Sequence, residues 1–137
     1  MKVRTYSELM QIDSFIDRYR YLALSGTVGE STFGFYRWMN QSFYRSKEWQ
    51  DLRHHIIARD MGCDLGYPER EIHGGRLYIH HMNPMTKQQL ERGDPNILNP
   101  SYLIVCTHDT HNAIHYGNEH MLRKPFKARA AGDTRLW

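Results

Sequence analysis

Arg76-Leu77-Tyr78-Ile79-His80-His81-Met82-Asn83-Pro84, read together with Thr110-His111-Asn112-Ala113-Ile114-His115-Tyr116-Gly117 further along the chain, decides the fold class. Arg76 to His80, with Leu77, Tyr78 and Ile79 at its centre, predicts a short strand leading into a histidine pair ahead of Pro84. Tyr102-Leu103-Ile104-Val105-Cys106 predicts a second strand. Thr110 then offers a helix cap, and His111 and His115 fall at i and i+4, the spacing that stacks two side chains on one helical face. Gly117 closes that helix. The order strand, long connection, strand, helix predicts an α+β fold: a two-stranded antiparallel sheet plus a helix, with additional helices N-terminal to it.

Working outward, Leu9, Ile12, Phe15, Ile16, Tyr19 and Leu22 follow three/four spacing, so Ser7 to Leu22 is expected to be one amphipathic helix ending before Gly26. Gly29 to Asn40 is aromatic and punctuated by glycine, which suggests a loop leading to a short helix. Ser46 caps an expected helix from Lys47 to Arg59, with Trp49, Leu52, Ile56 and Ile57 as its apolar stripe. Met61 to Gly75, with its glycines and Pro68, predicts a loop with turns. Thr86 and Gln89 have capping-box spacing for a short helix stopping at Gly93, and Asp94 to Pro100 is expected to be loop. These readings divide the chain into a helical extension over 1–45 packed on the core, the core over 46–120, and a basic tail over 121–137.

The chain has 137 residues, a formal charge of +3 and a pI near 8.9. That length suits one domain with a modest core. Mild basicity alone says little, but its distribution says more. Arg123, Lys124, Lys127, Arg129 and Arg135 face only Asp133 in the tail, a composition suited to running along a phosphate backbone. Two cysteines, Cys63 and Cys106, with no signal-like or membrane-spanning apolar run, suggest a cytoplasmic protein with reduced thiols.

His80, His111 and His115 are the expected metal ligands, because imidazole nitrogen binds divalent transition metals and three such ligands leave positions open for water and substrate. Neighbouring strand residues point to opposite faces, so one ion would not easily take both His80 and His81. Their roles should differ, and His81 is the expected general base. A cation to stabilise phosphoryl charge and an imidazole titrating near pH ~6.5 suit phosphodiester hydrolysis. His81 also needs a hydrogen bond to aim it, and no residue in the sequence identifies that partner. His54, His55, His73, His108 and His120 are read as ordinary surface or core residues.

This pattern resembles the HNH endonucleases, whose ββα-metal fold gathers catalytic residues from two strands and a helix around one divalent ion. The core match runs from about His73 to Gly117. By that resemblance His80 is the first metal ligand, His81 the water-activating base and His111 the helix histidine, and His115 looks like the fourth histidine of the nuclease colicins. Thr32-Phe33-Gly34, Asn40 to Ser46, Arg59 to Gly66 and Gly132 to Trp137 look like a phage-associated subgroup. The resemblance therefore implies a bacteriophage or prophage protein acting in the bacterial host cytoplasm. Two departures stand out. Many relatives carry an asparagine at the start of the second strand, where Tyr102 stands here, leaving Asn96 or Asn99 to serve from the preceding loop. The paired CxxC motifs of many relatives are missing, so no four-cysteine zinc site is expected.

The function these readings imply is metal-dependent cleavage of DNA, by nicking or double-strand cutting, in genome processing or packaging. The expected cofactor is one divalent ion: zinc or nickel by affinity for imidazole, magnesium or manganese for turnover. Expected partners are double-stranded DNA and phage terminase or portal proteins, with no membrane. Lys47, Arg53, Arg59, Arg123, Lys124 and Lys127 are candidate phosphate contacts. A non-catalytic, metal-stabilised DNA-binding or packaging-accessory module is the alternative, and it would not need His81. A metal hydrolase acting on another phosphoester fits less well, since the sequence has no enclosed-pocket signature.

Overall fold

The computed structural model describes residues 3–24, 45–84, 88–89 and 94–122. Within them the sequence patterns become two strands and four α-helices: α1 Tyr6–Met10, α2 Phe15–Leu22, α3 Lys47–Arg59, β1 Leu77–His81, β2 Leu103–Thr107 and α4 His108–Tyr116. The protein is α+β. β1 and β2 pair antiparallel, with Leu77 opposite Thr107, Ile79 opposite Val105 and His81 opposite Leu103. The two-residue period of a strand then sorts side chains to two faces. Leu77 and Ile79 join Trp49, Ile56, Leu103 and Val105 under α3. Tyr78 joins Ile104, Cys106, Ala113 and Ile114 on the face that α4 and the N-terminal helices cover.

α3 forms as its sequence predicts, with the Ser46 side chain accepting from the Trp49 N–H. Its C-terminal end is bolted to the sheet by charge. Arg59 donates to the carbonyls of Leu103 at 2.6 Å and Pro100 at 2.8 Å. Asp60, one residue on, accepts from the Val105 N–H at 3.0 Å, and Asp64 from the Thr107 N–H at 3.2 Å. Two carboxylates thus satisfy the outer edge of β2, which would otherwise present bare N–H groups for pairing with another chain.

Three expectations are corrected. The single helix from Ser7 to Leu22 is two, because Ser14 stands in extended conformation and its side chain accepts from the Asp17 N–H to start α2. Thr5 caps α1 in the same way. Such local side-chain bonds compete with helix continuation, while the apolar stripe of Leu9, Phe15, Tyr19 and Leu22 passes through the break into one core. The start of the histidine-bearing helix also moves: Thr107, not Thr110, caps α4. Thr110 lies inside α4 and gives its hydroxyl to Asp64 at 2.6 Å. Asp94 to Pro100 is also more ordered than a plain loop, forming 3-10 turns at Pro95–Leu98 and Pro100–Tyr102.

Met61 to Gly75 is the expected loop with turns. Gly66 has φ +63, and a Cβ there would meet Met10 Cε at 3.1 Å and Ile104 Cδ1 at 3.5 Å, so the loop passes tightly between α1 and β2. The N-terminal segment is stitched to the turn after β1, where the Asn83 side chain accepts from the Arg4 N–H and donates to its carbonyl, at 2.7 and 2.9 Å. Tyr19 donates its hydroxyl to the Ala113 carbonyl at 2.9 Å, holding α2 on α4. Gly117, at φ 64, closes α4 as expected. Thr86, the start of the expected capping-box helix, and the aromatic stretch over 29–40 lie outside the described residues.

Candidate metal centre

β1 presents His80 toward α4, and the i,i+4 pair on α4 presents His111 and His115 toward β1. One nitrogen from each of these three rings lies within 4.8 Å of the others. The rings meet edge to face, with centroids 5.3 Å apart for His80 and His111, 5.2 Å for His80 and His115, and 4.5 Å for His111 and His115. His111 Nε2 and His115 Nε2 are 3.1 Å apart. One ligand-capable nitrogen from each of the three rings thus borders one small volume.

His80 is 1 % exposed, and neither of its ring nitrogens has a hydrogen-bond partner among the described residues. An unpaired buried polar group costs roughly 1–3 kcal/mol, a cost that a bound ion at this point would offset. Burial, then the neighbouring histidines and Arg4, hold His80 well below the ordinary histidine range. Burial lowers His115 to about 4. Both rings are neutral at pH 7, the state in which imidazole binds metal. Donor chemistry, convergence and protonation state all fit a divalent transition ion held by His80, His111 and His115.

His81 projects to the opposite face of β1. Its Nε2 lies 3.1 Å from the Ile97 carbonyl oxygen. A carbonyl only accepts, so Nε2 carries the hydrogen and Nδ1 keeps the lone pair. Burial lowers this imidazole to about 4, partly opposed by the Ile97 bond. The Trp49 indole stacks on the ring, centroids 5.6 Å apart and planes 12° from parallel. The aiming group is thus a backbone carbonyl in the loop before β2, between the two asparagines named from sequence. Asn99 instead caps its own turn by accepting from the Ser101 N–H. Tyr102 contributes its carbonyl to the Met82 N–H.

Sequence reading did not single out Ile97, because a main-chain carbonyl has no residue signature, and it saw Trp49 only as part of an apolar stripe. The candidate phosphate contacts divide. Lys47 is exposed and pairs with Asp51 at 3.3 Å. Arg53 donates to the Leu77 carbonyl at 2.7 Å, and the Arg59 guanidinium is held by Asp60, two carbonyls and the Tyr6 ring. Both arginines spend hydrogen bonds on fastening α3 to the strands. Arg123, Lys124 and Lys127 lie outside the described residues. Cys63 and Cys106 are both buried free thiols. No helix among the described residues is long and apolar enough to cross a membrane. No protein-family model, curated protein or solved structure matches the chain.

Proposed function

We propose that the chain is a metal-dependent endonuclease of the HNH type, with a ββα-metal core, that hydrolyses DNA phosphodiester bonds. The observation that carries this reading is the pairing of a convergent three-histidine cluster with a fourth, carbonyl-aimed histidine on the adjacent strand residue. A purely structural metal site has no use for that fourth group.

In this reading His80, His111 and His115 hold the ion. When bound, the ion supplies positive charge that stabilises the phosphoryl and leaving oxygens. His81 accepts the proton of the attacking water at Nδ1, and the Ile97 carbonyl keeps Nε2–H pointed away so that this lone pair stays available. The strand pleat separates the two jobs. His80 faces the cluster and His81 the other side of the strand, so the base is not consumed as a ligand. The resemblance of the flanking segments to a phage-associated subgroup supports phage genome processing or packaging as the setting, with terminase or portal proteins as partners.

A plasmid-nicking assay with added zinc, nickel, magnesium or manganese, and with chelator, tests the reading. Cleavage that requires a divalent ion and is lost in His111→Ala is expected. DNA retention with no cleavage under any of these ions would instead favour a packaging-accessory module.

A further inference from the structure

We infer that Trp49 is a positioning residue for the proposed base, its indole face fixing the plane of the His81 imidazole; this rests on the nuclease reading above. A hydrogen bond from Nε2–H to the Ile97 carbonyl fixes one end of the ring but leaves it free to tilt about the bond, because carbonyl acceptors tolerate a broad range of approach. The nearly parallel indole, 12° from the imidazole plane, removes that freedom. Together the edge contact and the face contact define where Nδ1 points.

The indole is itself held firmly. Trp49 is 5 % exposed and packed with Ile56, Leu103 and Val105, and Leu103 is the residue paired with His81 across the sheet. Its helix is tied to both strands, through Arg53 to the Leu77 carbonyl and through Arg59 to the Leu103 carbonyl. Ser46 fixes the first turn by accepting from the Trp49 N–H at 3.2 Å. The stacking partner therefore moves with the same sheet that carries the base. A group aimed this way matters for rate because a misplacement of about 1 Å in a reacting atom can cost about 10²-fold.

A role in packing alone makes a different prediction, so the test compares variants that separate the two. Trp49→Phe keeps a flat face, Trp49→Leu fills the core without one, and Ile56→Val loosens the same cluster away from His81. Expected are a kcat about tenfold to hundredfold lower in Trp49→Leu, with KM and metal affinity unchanged, and kcat near the natural value in Trp49→Phe and Ile56→Val. In the natural chain, NMR should find the His81 ring protons shifted upfield by the indole relative to those of exposed His54 and His55. Trp49→Leu should remove that shift and Trp49→Phe should keep part of it. The proposal is overturned by an unshifted His81 ring in the natural chain, by natural kcat in folded Trp49→Leu, or by equal kcat losses in Trp49→Leu and Ile56→Val. A natural chain that cuts no DNA overturns the nuclease reading itself, which separates that failure from the others.

Discussion

Burial of His80, His81 and His115 couples protonation to folding. In the unfolded chain each imidazole titrates near pH ~6.5. In the fold, His81 and His115 resist protonation until about 4. Between those values the unfolded state binds more protons, so stability falls as pH falls. Asp64 works the other way, since burial raises its carboxyl and lets the folded state take that proton sooner. The histidines outnumber it. Metal-free protein should therefore hold full stability above pH ~6.5 and lose on the order of a few kcal/mol on acidification toward pH ~4. Chemical denaturation at a series of pH values measures this; midpoints that rise on acidification would contradict it. Bound metal should steepen the trend, because protons compete for the same nitrogens.

At the scale of elements, the junction of α3 with β2 makes the sharpest stability prediction. Asp60 pairs with Arg59 at 2.8 Å and also satisfies the Val105 N–H. Asp60→Ala would take the carboxylate from a half-buried arginine, which keeps its two carbonyls, and strand the Val105 N–H, a loss of roughly 1–3 kcal/mol. A change under ~1 kcal/mol in the unfolding free energy would show that the bolt is not needed. Thr107→Ala removes the cap of α4 and a donor to Asp64, and should cost about 1–2 kcal/mol while loosening the start of the helix that carries His111. Amide exchange in the first turn of α4 checks it: faster exchange is expected, and unchanged rates would oppose the role.

Both strands, α3 with its Ser46 cap, and the histidine spacing on α4 are legible in sequence because each is written in one local period or one local cap. The break at Ser14 is not, since a continuous apolar stripe hides a cap whose effect depends on the backbone leaving helical angles. Thr107 and Thr110 are equally good caps on paper. The end of β2 decides between them, and that end is set by pairing of Thr107 with Leu77 far along the chain. The three-histidine cluster was legible from strand alternation and i,i+4 spacing. The Ile97 carbonyl and the Trp49 stack were not, because both arise where separate elements meet.

Across the whole molecule, the metal cluster joins pieces that sequence keeps apart. His80 comes from β1, His111 and His115 from α4, and α4 is held by Tyr19 of α2 and by Asp64 of the loop before β1. An ion on these three ligands binds the folded chain and finds no such constellation in the unfolded one. It should stabilise the fold by about 2.7 kcal/mol at a free concentration of 100 times Kd, so that the melting temperature rises with ion concentration. Chelator should reverse the gain, and His80→Ala should abolish it. Thermal unfolding of the natural chain with graded zinc or nickel reads this directly, and a melting temperature indifferent to either ion would argue against the cluster.

The division of labour between adjacent histidines is the central claim, and His81→Ala tests it most directly when metal content and plasmid cleavage are measured on the same preparation. The account predicts a folded variant that retains one divalent ion and loses about 10²–10⁴ of the cleavage rate. A His81→Ala protein that cuts like the natural chain, or that loses its ion along with its activity, would contradict it.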